Sequence, residues 1–299
     1  MEKQIGFIGL GKMGQNMVRR LLEKGWTVTV FDQNPEAMRV VQSLGARVSL
    51  GVEELVKSLS APRLVWIMIP SGKPVDEVID TLLALLENGD TIIDGGNSFY
   101  EDSQVRAKRL KAKRINFLDA GVSGGPGGAL KGACIMVGGE EEVYKHHENL
   151  FSDLAVAEGY EYMGKAGAGH FVKMVHNGIE YGFMQALAEG FSIMKKSSFR
   201  LDLKRIARLY NRGSVIESRL VGWLEDAFEE FGDNLQGISG SVGQTGEGKW
   251  TAKTAKKLGV PAPIIKGAVD FRVKSEKAPS FAGKILSALR NQFGGHNIK

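Results

Sequence analysis

The run GHFVKMVHNGIEYG, residues 169–182, carries polar residues with the types and spacing of a catalytic helix face. Asn177 follows Lys173 by four residues, and Glu180 follows Asn177 by three. Residues three and four apart share one face of an α-helix, where Lys and Glu most often form a solvated surface. Here apolar residues surround each polar one, and a buried lysine loses its charge easily. Lys173 is therefore a candidate general base, and Glu180 a candidate proton donor.

The glycine motif GLGKMG, residues 9–14, indicates a phosphate-binding turn. It follows a strand pattern and opens a helix pattern, and Asp32 ends the next strand 23 residues after Gly9. In this setting the glycines allow a tight turn, a close approach to a pyrophosphate and close packing of helix on strand. The free N–H groups at the start of the helix then favour phosphate. The residues expected to contact a dinucleotide here are Gly9, Leu10, Gly11, Lys12, Met13 and Gly14.

Asp32 indicates which dinucleotide binds. A carboxylate at this position accepts hydrogen bonds from the ribose hydroxyls of NAD and repels the 2′-phosphate of NADP. Gln33 and Asn34 are neutral, and no arginine stands close by in the sequence to receive that phosphate. The sequence therefore predicts NAD as the cofactor.

The elements that position these residues change character along the chain. Strand patterns occupy residues 3–8, 27–31, 64–69, 91–94, 115–119 and 134–137, and helix patterns lie between them. This alternation predicts parallel βαβ units in a doubly wound sheet. Later patterns are helical, at residues 168–196, 203–210, 218–231 and 251–258. We expect two domains, 1–167 and 168–299, with the boundary in GKAGAG, residues 164–169.

Composition and charge narrow the class of protein. A net charge of +5 and a pI of about 9.1 fit a small anionic substrate. Ten basic residues follow position 250 against two acidic ones, but stacking aromatics are not interleaved, so we expect no nucleic acid. No run of 18 apolar residues predicts a membrane span, and the start MEKQIGFIGLG is not a signal-peptide pattern. With a single cysteine, Cys134, we expect a cytoplasmic protein.

Taken together, the motifs resemble those of the decarboxylating 6-phosphogluconate dehydrogenases, within the β-hydroxyacid dehydrogenase superfamily. Besides GHFVKMVHNGIEY, matching motifs occur in family order over nearly the whole chain. They are GLGKMG at 9–14, DGGNS at 94–98, GVSGG at 121–125, GKWT at 248–251 and FGGH at 293–296. At 299 residues the chain resembles the short form, whose members often prefer NAD. The resemblance implies an α/β N-terminal domain, a Rossmann-type doubly wound parallel sheet, followed by an all-α C-terminal domain.

The resemblance also implies a reaction, the oxidative decarboxylation of 6-phosphogluconate to ribulose 5-phosphate. Lys173 would take the C3 hydroxyl proton, and Glu180 would protonate the enol that remains after CO2 leaves. No metal is implied, because the β-keto group itself accepts the electrons. Asn177 is the third residue assigned to catalysis. Substrate contacts are implied for Asn97, Ser123, Gly124, Gly125, His176, Tyr181, Arg272, Arg290 and His296, and further cofactor contacts for Pro70, Ser71 and Asn97.

Two departures from the family pattern concern the substrate. Long forms carry a lysine and a threonine before GKWT, where this chain has Thr245 and Glu247. A glutamate beside a phosphate is repulsive unless it faces away, which places phosphate binding at this corner in question. Phe183 replaces a common aspartate one turn past the reactive face, where we expect little effect.

Two other functions fit parts of the pattern. One is another β-hydroxyacid dehydrogenase, acting on a small 3-hydroxy acid or an unphosphorylated sugar acid; such relatives usually lack the HNGIEY run and the FGGH tail. The other is a non-catalytic, NAD-responsive module, which the presence of Lys173, Asn177 and Glu180 disfavours.

The resemblance further implies a homo-oligomer, at least a dimer with shared active sites. The tail RNQFGGH, residues 290–296, would reach the partner's site through Arg290 and His296. Among single residues, we expect His146 and His147 on the surface, His170 in a structural role, and Cys134 in the core.

Overall fold

The structure, a computed structural model, describes residues 3–243 and 246–298. The chain divides into two compact units, Met1–Met174 and Val175–Lys299. The division falls within a long helix that begins at Ala168, the first residue of the second domain expected from the sequence, because the first two turns of that helix pack with the sheet.

A single eight-stranded sheet forms the framework of the first unit. Its strands are β1 (Gln4–Ile8), β2 (Thr27–Phe31), β3 (Arg47–Val48), β4 (Leu64–Ile67), β5 (Thr91–Asp94), β6 (Asn116–Ser123), β7 (Ala133–Gly139) and β8 (Ala155–Gly164). They lie in the order β3-β2-β1-β4-β5-β6-β7-β8, and β1 runs parallel to both β2 and β4. The strand order reverses between β1 and β4, and ligands of such sheets bind at this switch point, beyond the carboxyl ends of the strands.

Helices cover both faces of this sheet. They are α1 (Lys12–Glu23), α2 (Pro35–Gln42), α3 (Val52–Lys57), α4 (Lys73–Leu83), α5 (Tyr100–Lys111), α6 (Gly125–Lys131), α7 (Glu141–His146) and α8 (Glu148–Leu154). One apolar core includes Phe7 of β1 with Met17 of α1, and a second includes Ile8 of β1 with Ile79 of α4. Phe7 and Ile8 are neighbours in β1 but belong to cores on opposite faces of the sheet, because successive side chains of a strand alternate between its two faces.

The predicted Rossmann-type fold is confirmed, with parallel pairing throughout β1 to β6, and the sheet departs from the prediction only beyond β6 and in its extent. We predicted a parallel sheet, but β7 runs antiparallel to β6, and β8 follows the direction of β7. The short strand β3 and the ten-residue strand β8 had no sequence prediction. Much of β8 is exposed or half-buried at the sheet edge, so it lacks the apolar run by which buried strands are found.

Among its described residues, the second unit contains helices and the loops between them, and no strand. Its helices are α9 (Ala168–Lys196), which begins in the first unit, α10 (Leu203–Tyr210), α11 (Arg219–Phe231), α12 (Glu247–Lys257), α13 (Pro263–Ser275) and α14 (Phe281–Gly294). Side-chain caps start three of them: Asp202 for α10, Ser218 for α11 and Ser280 for α14. Of the helices in the described ranges, none has both the length and the apolar character that a bilayer span requires.

Two single-residue expectations were wrong. His147 is buried, and its Nε2 lies 3.0 Å from Thr91 Oγ1. Burial lowers the pKa of His147 to about 4, so the ring is neutral at physiological pH. Cys134, expected in the core, is exposed near the start of β7. His146 is exposed as expected, and His170 is buried.

Candidate functional site

The glycine motif forms the turn between β1 and α1. Gly9 has a φ of +101°, and a Cβ there would collide with the carbonyl oxygen of Met68. A Cβ at Gly14 would collide with the carbonyl oxygen of Gly9, whereas one at Gly11 would meet nothing within 4 Å. The first and third glycines therefore pack the turn closely, and the second leaves open space beside the backbone.

The start of α1 fits the pyrophosphate of a dinucleotide. No side chain caps this helix at Gly11, and its first turn contains no acidic residue. A helix N-terminus with no acidic side chain in its first turn, next to an open glycine, is the arrangement that phosphate groups occupy. Lys12 is exposed and Met13 half-buried on the first turn, while Leu10 is buried beneath it.

Asp32 lies directly after β2 and contacts the glycine turn. Its Oδ2 accepts a hydrogen bond from Leu10 N at 2.6 Å, and its Oδ1 accepts one from Asn34 N at 2.7 Å. Asn34 in turn caps α2 through its side chain, which accepts from Glu36 N. The half-buried carboxylate thus stands beside the turn, and each of its oxygens keeps a further lone pair for a ribose hydroxyl.

The other cofactor candidates lie in the two loops that follow β4 and β5. Pro70 and Asn97 are exposed, and Ser71 is half-buried. Arg106 of α5, which the sequence analysis missed, is buried and hydrogen-bonds to Gly72 and Ser98, one residue in each loop. The spacing along α5 was a signal for Arg106. Ser103, Arg106 and Leu110 are three and four residues apart, so they share one helix face, and this face is buried.

A second missed residue, Asp119, anchors the start of α9. Its fully buried carboxylate accepts hydrogen bonds from Gly167 N at 2.6 Å and from His170 N at 2.8 Å. The Nδ1 atom of His170 lies 2.7 Å from Ser103 Oγ, so this histidine ties α9 to α5. A carboxylate at a helix N-terminus satisfies free N–H groups and opposes the helix dipole. Asp119 is therefore a structural anchor for the helix that carries Lys173.

Lys173 lies on α9 against β6. A Cβ at Gly121 would collide with the Cβ of Lys173, so only a glycine lets the helix approach the strand this closely. Lys173 is 8% exposed, which agrees with the buried position expected from its apolar neighbours. The GVSGG motif continues with Ser123 at the end of β6. Gly124 and Gly125 follow with φ values of 120° and 63°, which favour glycine.

The remaining polar residues of this helix lie on its next turns. Asn177 is buried, and His176 and Glu180 are half-buried. Nδ1 of His176 lies 3.0 Å from Asn177 Oδ1 and 3.9 Å from Glu180 Oε2. The helix therefore presents an imidazole, an amide and a carboxylate side by side, close behind the lysine along the chain.

Tyr181 and two arginines form a cluster in the second unit. The guanidinium of Arg272 stacks on the Tyr181 ring, 3.4 Å from its centroid, and Arg272 is almost fully buried. Burial lowers the pKa of Arg272 to about 10 and also lowers that of Arg290, and both still carry their charge at neutral pH. The Tyr181 hydroxyl is buried without a hydrogen-bond partner in the described part of the chain. An unpaired buried hydroxyl beside two cations is the environment that a phosphate would satisfy.

Glu247, the departure noted in the sequence, is buried at the start of α12 and acts electrostatically on both arginines. Its negative charge raises the pKa of each, against the larger effect of burial. Glu180 acts on both arginines in the same direction, so two carboxylates stand against two guanidinium groups. Recognition of a phosphate here would therefore depend on well-placed N–H donors and not on a net positive charge. Thr245, the other departure, lies outside the described residues.

The C-terminal tail packs on its own helical unit. Phe293 lies 5.5 Å from Trp223 and 6.1 Å from the His296 ring, measured between centroids. Asn291 Nδ2 donates to the carbonyl of His296, and Ser239 N donates to that of Ile298. Arg290 belongs to the buried face of α14 and acts electrostatically on Tyr181 of the same chain. Within the single chain, Arg290 therefore lies in its own helical unit, and its role in a partner's site stays a prediction.

Comparison with known proteins agrees with these features. Two family profiles match: the NAD binding domain of 6-phosphogluconate dehydrogenase over residues 4–164, and the 6-phosphogluconate dehydrogenase C-terminal domain over residues 169–282. YqeC of Bacillus subtilis, whose name assigns it provisionally as a 6-phosphogluconate dehydrogenase, is 44% identical over 98% of both chains. An NAD(+)-dependent, decarboxylating 6-phosphogluconate dehydrogenase of Haloferax volcanii is 38% identical over 99% of this chain and 98% of its own length.

Among solved structures, 6-phosphogluconate dehydrogenase of Plasmodium falciparum superposes with a TM-score of 0.82 at 31% identity. The match covers 97% of this chain and 70% of the Plasmodium chain, which was studied in its apo form and with NADP+ or 6-phosphogluconate. The chain therefore belongs to the 6-phosphogluconate dehydrogenase family.

Proposed function

We propose that this oxidoreductase converts 6-phosphogluconate to ribulose 5-phosphate and CO2 with NAD as the oxidant. One observation carries the proposal: α9 bears buried Lys173, then Asn177 and Glu180, and then Tyr181, which stacks on a buried arginine. From the lysine to the tyrosine the helix rises about 12 Å, a length comparable to a phosphorylated six-carbon acid. One helix thus carries groups for proton transfer and a group for the phosphate.

The residues of α9 divide the proton transfers of this reaction. Lys173 takes the proton of the C3 hydroxyl as that carbon is oxidised to a ketone. The bond between C1 and C2 then breaks, CO2 leaves, and its electron pair passes to C2 and the C3 oxygen, where protonated Lys173 supports the developing charge. Glu180 delivers a proton to the former C2, which completes ribulose 5-phosphate.

The cofactor proposal rests on the glycine turn and on Asp32. NAD, when bound, supplies the acceptor for the hydrogen that leaves C3. The open space at Gly11 and the uncapped start of α1 would hold its pyrophosphate, and Asp32 would accept from its ribose. The Haloferax relative is named as NAD(+)-dependent, whereas the Plasmodium structure includes NADP+. Preference between the two cofactors is therefore a property to test on this chain.

A direct assay tests the function. The purified protein is mixed with 6-phosphogluconate and NAD, absorbance is followed at about 340 nm, the wavelength of reduced nicotinamide, and released CO2 is measured in parallel. We expect CO2 and reduced cofactor in equal amounts. Reduced cofactor without CO2 would contradict the decarboxylation, and no signal with either cofactor would contradict the whole assignment.

Asp32→Ala should narrow the preference for NAD. For the natural protein we expect kcat/KM with NAD to exceed that with NADP at least about tenfold, or about 1.4 kcal/mol, because the carboxylate repels a 2′-phosphate. The variant loses this repulsion, but it also loses the hydrogen bond to Leu10 N, so its activity with NAD should fall too. Glu36→Gln, which removes an exposed charge nearby, is the control and should leave the ratio unchanged. Equal efficiency with both cofactors before mutation would refute the cofactor assignment.

We further propose that the working enzyme is at least a dimer. The chain exposes an apolar stripe on one side of α9, at the spacing of a single helix face. Its exposed or half-buried members are Ile179, Ala186, Gly190 and Ile193, and Gly182 on the same face is buried. Its two isoleucines are 61% and 71% exposed, and exposed Ile264 of α13 lies beside Gly182. A second copy of the chain would cover such a surface by helix packing.

Subunit mixing tests whether the active sites are shared. We propose that His296 contributes to the partner's site, as the resemblance implies, and that Arg290 serves its own chain. Lys173→Met protein mixed with His296→Ala protein should then regain activity, up to about a quarter of the natural level, because half of the dimers are mixed and each has one intact site. Lys173→Met mixed with Arg290→Ala should show no such gain. A fully active monomer in sedimentation would overturn both the dimer and the sharing.

We also propose that the protein works in a reducing, cytoplasmic compartment. Its only cysteine, Cys134, is an exposed free thiol, and a single cysteine cannot form a disulfide within the chain. Free thiols of this kind persist where the surroundings are reducing.

A further inference from the structure

Arg106 of α5 makes four polar contacts that join two loops of the first unit. Its Nε lies 2.8 Å from Asp76 Oδ1, and its Nη2 donates to the carbonyl of Gly72 at 3.2 Å. Its Nη1 lies 3.1 Å from Asp94 Oδ2 and 3.0 Å from Ser98 Oγ. Gly72 lies in the loop after β4 and Asp76 in the first turn of α4, while Asp94 ends β5 and Ser98 lies in the loop that follows it. One guanidinium therefore ties the two loops together.

The centre of the network is buried, and its single guanidinium faces two carboxylates, of which Asp76 is about half exposed. Arg106 is 2% exposed, and Asp94 is fully buried at the end of β5. Asp94 Oδ2 also accepts from Ser98 Oγ at 2.7 Å, and its Oδ1 accepts from Gly96 N at 3.1 Å. A buried ion pair of this kind gives little net stability, because desolvation opposes the attraction, but it restricts geometry strongly. Geometry is therefore the property to which the network contributes most.

The joined loops carry the cofactor candidates. Pro70 and Ser71 immediately precede Gly72, and Asn97 lies between two residues bonded to Asp94, namely Gly96 and Ser98. Both loops follow the carboxyl ends of β4 and β5, beside the strand-order switch where dinucleotides bind. Arg106 itself faces the network and not the open edge.

We propose that Arg106 is a positioning residue, which holds the loops after β4 and β5 at the spacing that cofactor binding needs. This inference rests on the proposed function and deepens it. The five N–H donors of arginine form a rigid fork, and the four contacts use all three of its nitrogens. A lysine keeps the charge but has a single nitrogen, so it cannot span both loops. Charge alone therefore does not replace the arginine.

The chain offers a matched control at the opposite edge of the same strands. Arg63 precedes β4 and contacts Asp90, which precedes β5; their Nη1 and Oδ2 atoms lie 3.0 Å apart. Asp90 is also buried and accepts from the backbone N–H groups of Arg63 and Glu87. This second arginine–aspartate pair joins the same two strands, but at their amino ends, away from the cofactor edge.

The experiment compares Arg106→Leu, Arg106→Lys and Ser98→Ala with Arg63→Leu and Arg63→Lys. For each variant, thermal unfolding gives the stability, calorimetric titration with NAD gives Kd, and steady-state kinetics give kcat and KM. All binding and kinetic measurements are made well below the lowest unfolding midpoint. We expect both leucine variants to lose stability, because each leaves a buried carboxylate without its cation.

Only the Arg106 variants should lose cofactor binding. We expect Arg106→Lys to raise Kd for NAD about tenfold, or about 1.4 kcal/mol. Displaced loops should also lower kcat/KM about 100-fold. Ser98→Ala should shift Kd in the same direction by less, and Arg63→Lys should leave Kd and kcat unchanged. If Arg106→Leu does not fold, the lysine and alanine variants decide the question.

The outcomes separate this inference from the proposed function. If the natural protein binds NAD and turns over 6-phosphogluconate, but Arg106→Lys and Ser98→Ala keep its Kd and kcat, the positioning role is overturned. The same holds if Arg63 variants weaken NAD binding as much as Arg106 variants do. If the natural protein itself neither binds NAD nor oxidises 6-phosphogluconate, the proposed function fails first.

Discussion

Lys173→Met should lower kcat for 6-phosphogluconate oxidation by about three orders of magnitude, or about 4 kcal/mol, while the protein still binds NAD. Methionine keeps the apolar stem that packs against Gly121, so α9 should stay in place. What the variant lacks is the amine that accepts the C3 hydroxyl proton. Stopped-flow absorbance of reduced nicotinamide measures the oxidation step directly, and calorimetric titration measures the cofactor.

Lys196→Met, on the exposed end of the same helix, is the control and should leave both measurements unchanged. Near-normal turnover by the Lys173 variant would remove the general base from the mechanism. In that event the buried position of the lysine would be explained by packing alone.

Glu180→Gln tests the proton transfer that follows decarboxylation. We expect it to slow overall turnover strongly, because the enol that remains after decarboxylation needs a proton. Oxidation in the first turnover should be affected less than steady-state turnover. In heavy water, deuterium enters the product at the carbon that Glu180 protonates, and the rate of this incorporation should fall in the variant. Unchanged incorporation would assign the proton to another donor.

Arg290→Ala should raise KM for 6-phosphogluconate about 10- to 100-fold, because a charge-assisted hydrogen bond to phosphate is worth about 1.5–3 kcal/mol. KM for NAD and activity on unphosphorylated gluconate should change little, since neither depends on this phosphate contact. Arg290 is preferred to Arg272 for this test, because almost complete burial and stacking on Tyr181 also give Arg272 a structural role. Arg272→Lys complements it, since lysine retains the charge without the planar fork.

Arg219→Ala is the matched control for the phosphate test. Arg219 also stacks on an aromatic ring of the helical unit, 4.9 Å from the Trp223 centroid, but it does not belong to the group around Tyr181. Its removal should leave KM for 6-phosphogluconate unchanged. If gluconate proves as good a substrate as its phosphorylated form in the natural protein, the arginines do not recognise phosphate and the substrate must be reassigned.

Local sequence patterns predicted much of the framework correctly. The strands at residues 27–31 and 91–94 and the helix at residues 168–196 have the expected bounds. Each is defined by a periodicity that a few neighbouring residues carry, so no distant contact is needed to recognise it. The glycine turn could be predicted for the same reason, because a strand, three glycines and a helix are consecutive.

Strand direction and edge strands could not be predicted in this way. The antiparallel pairing of β7 with β6 depends on the path of the chain through α6, which alternation of strands and helices does not specify. The edge strand β8 is largely polar at its surface, and its hydrogen bonds to β7 define it better than its side chains do. Direction and pairing are properties of two segments together.

By itself, the sequence determined the family of this protein, its two structural patterns and the residues of α9 that can do chemistry, because these are local properties of consecutive residues. The tertiary structure alone decided what surrounds them. It brought Arg106 to the ends of two strands, Asp119 to the start of α9, and Arg272 onto the ring of Tyr181, 91 positions earlier in the chain. Such partners are far apart in sequence, and burial selects them only once the core has formed, since a charge is stable there only beside its partner.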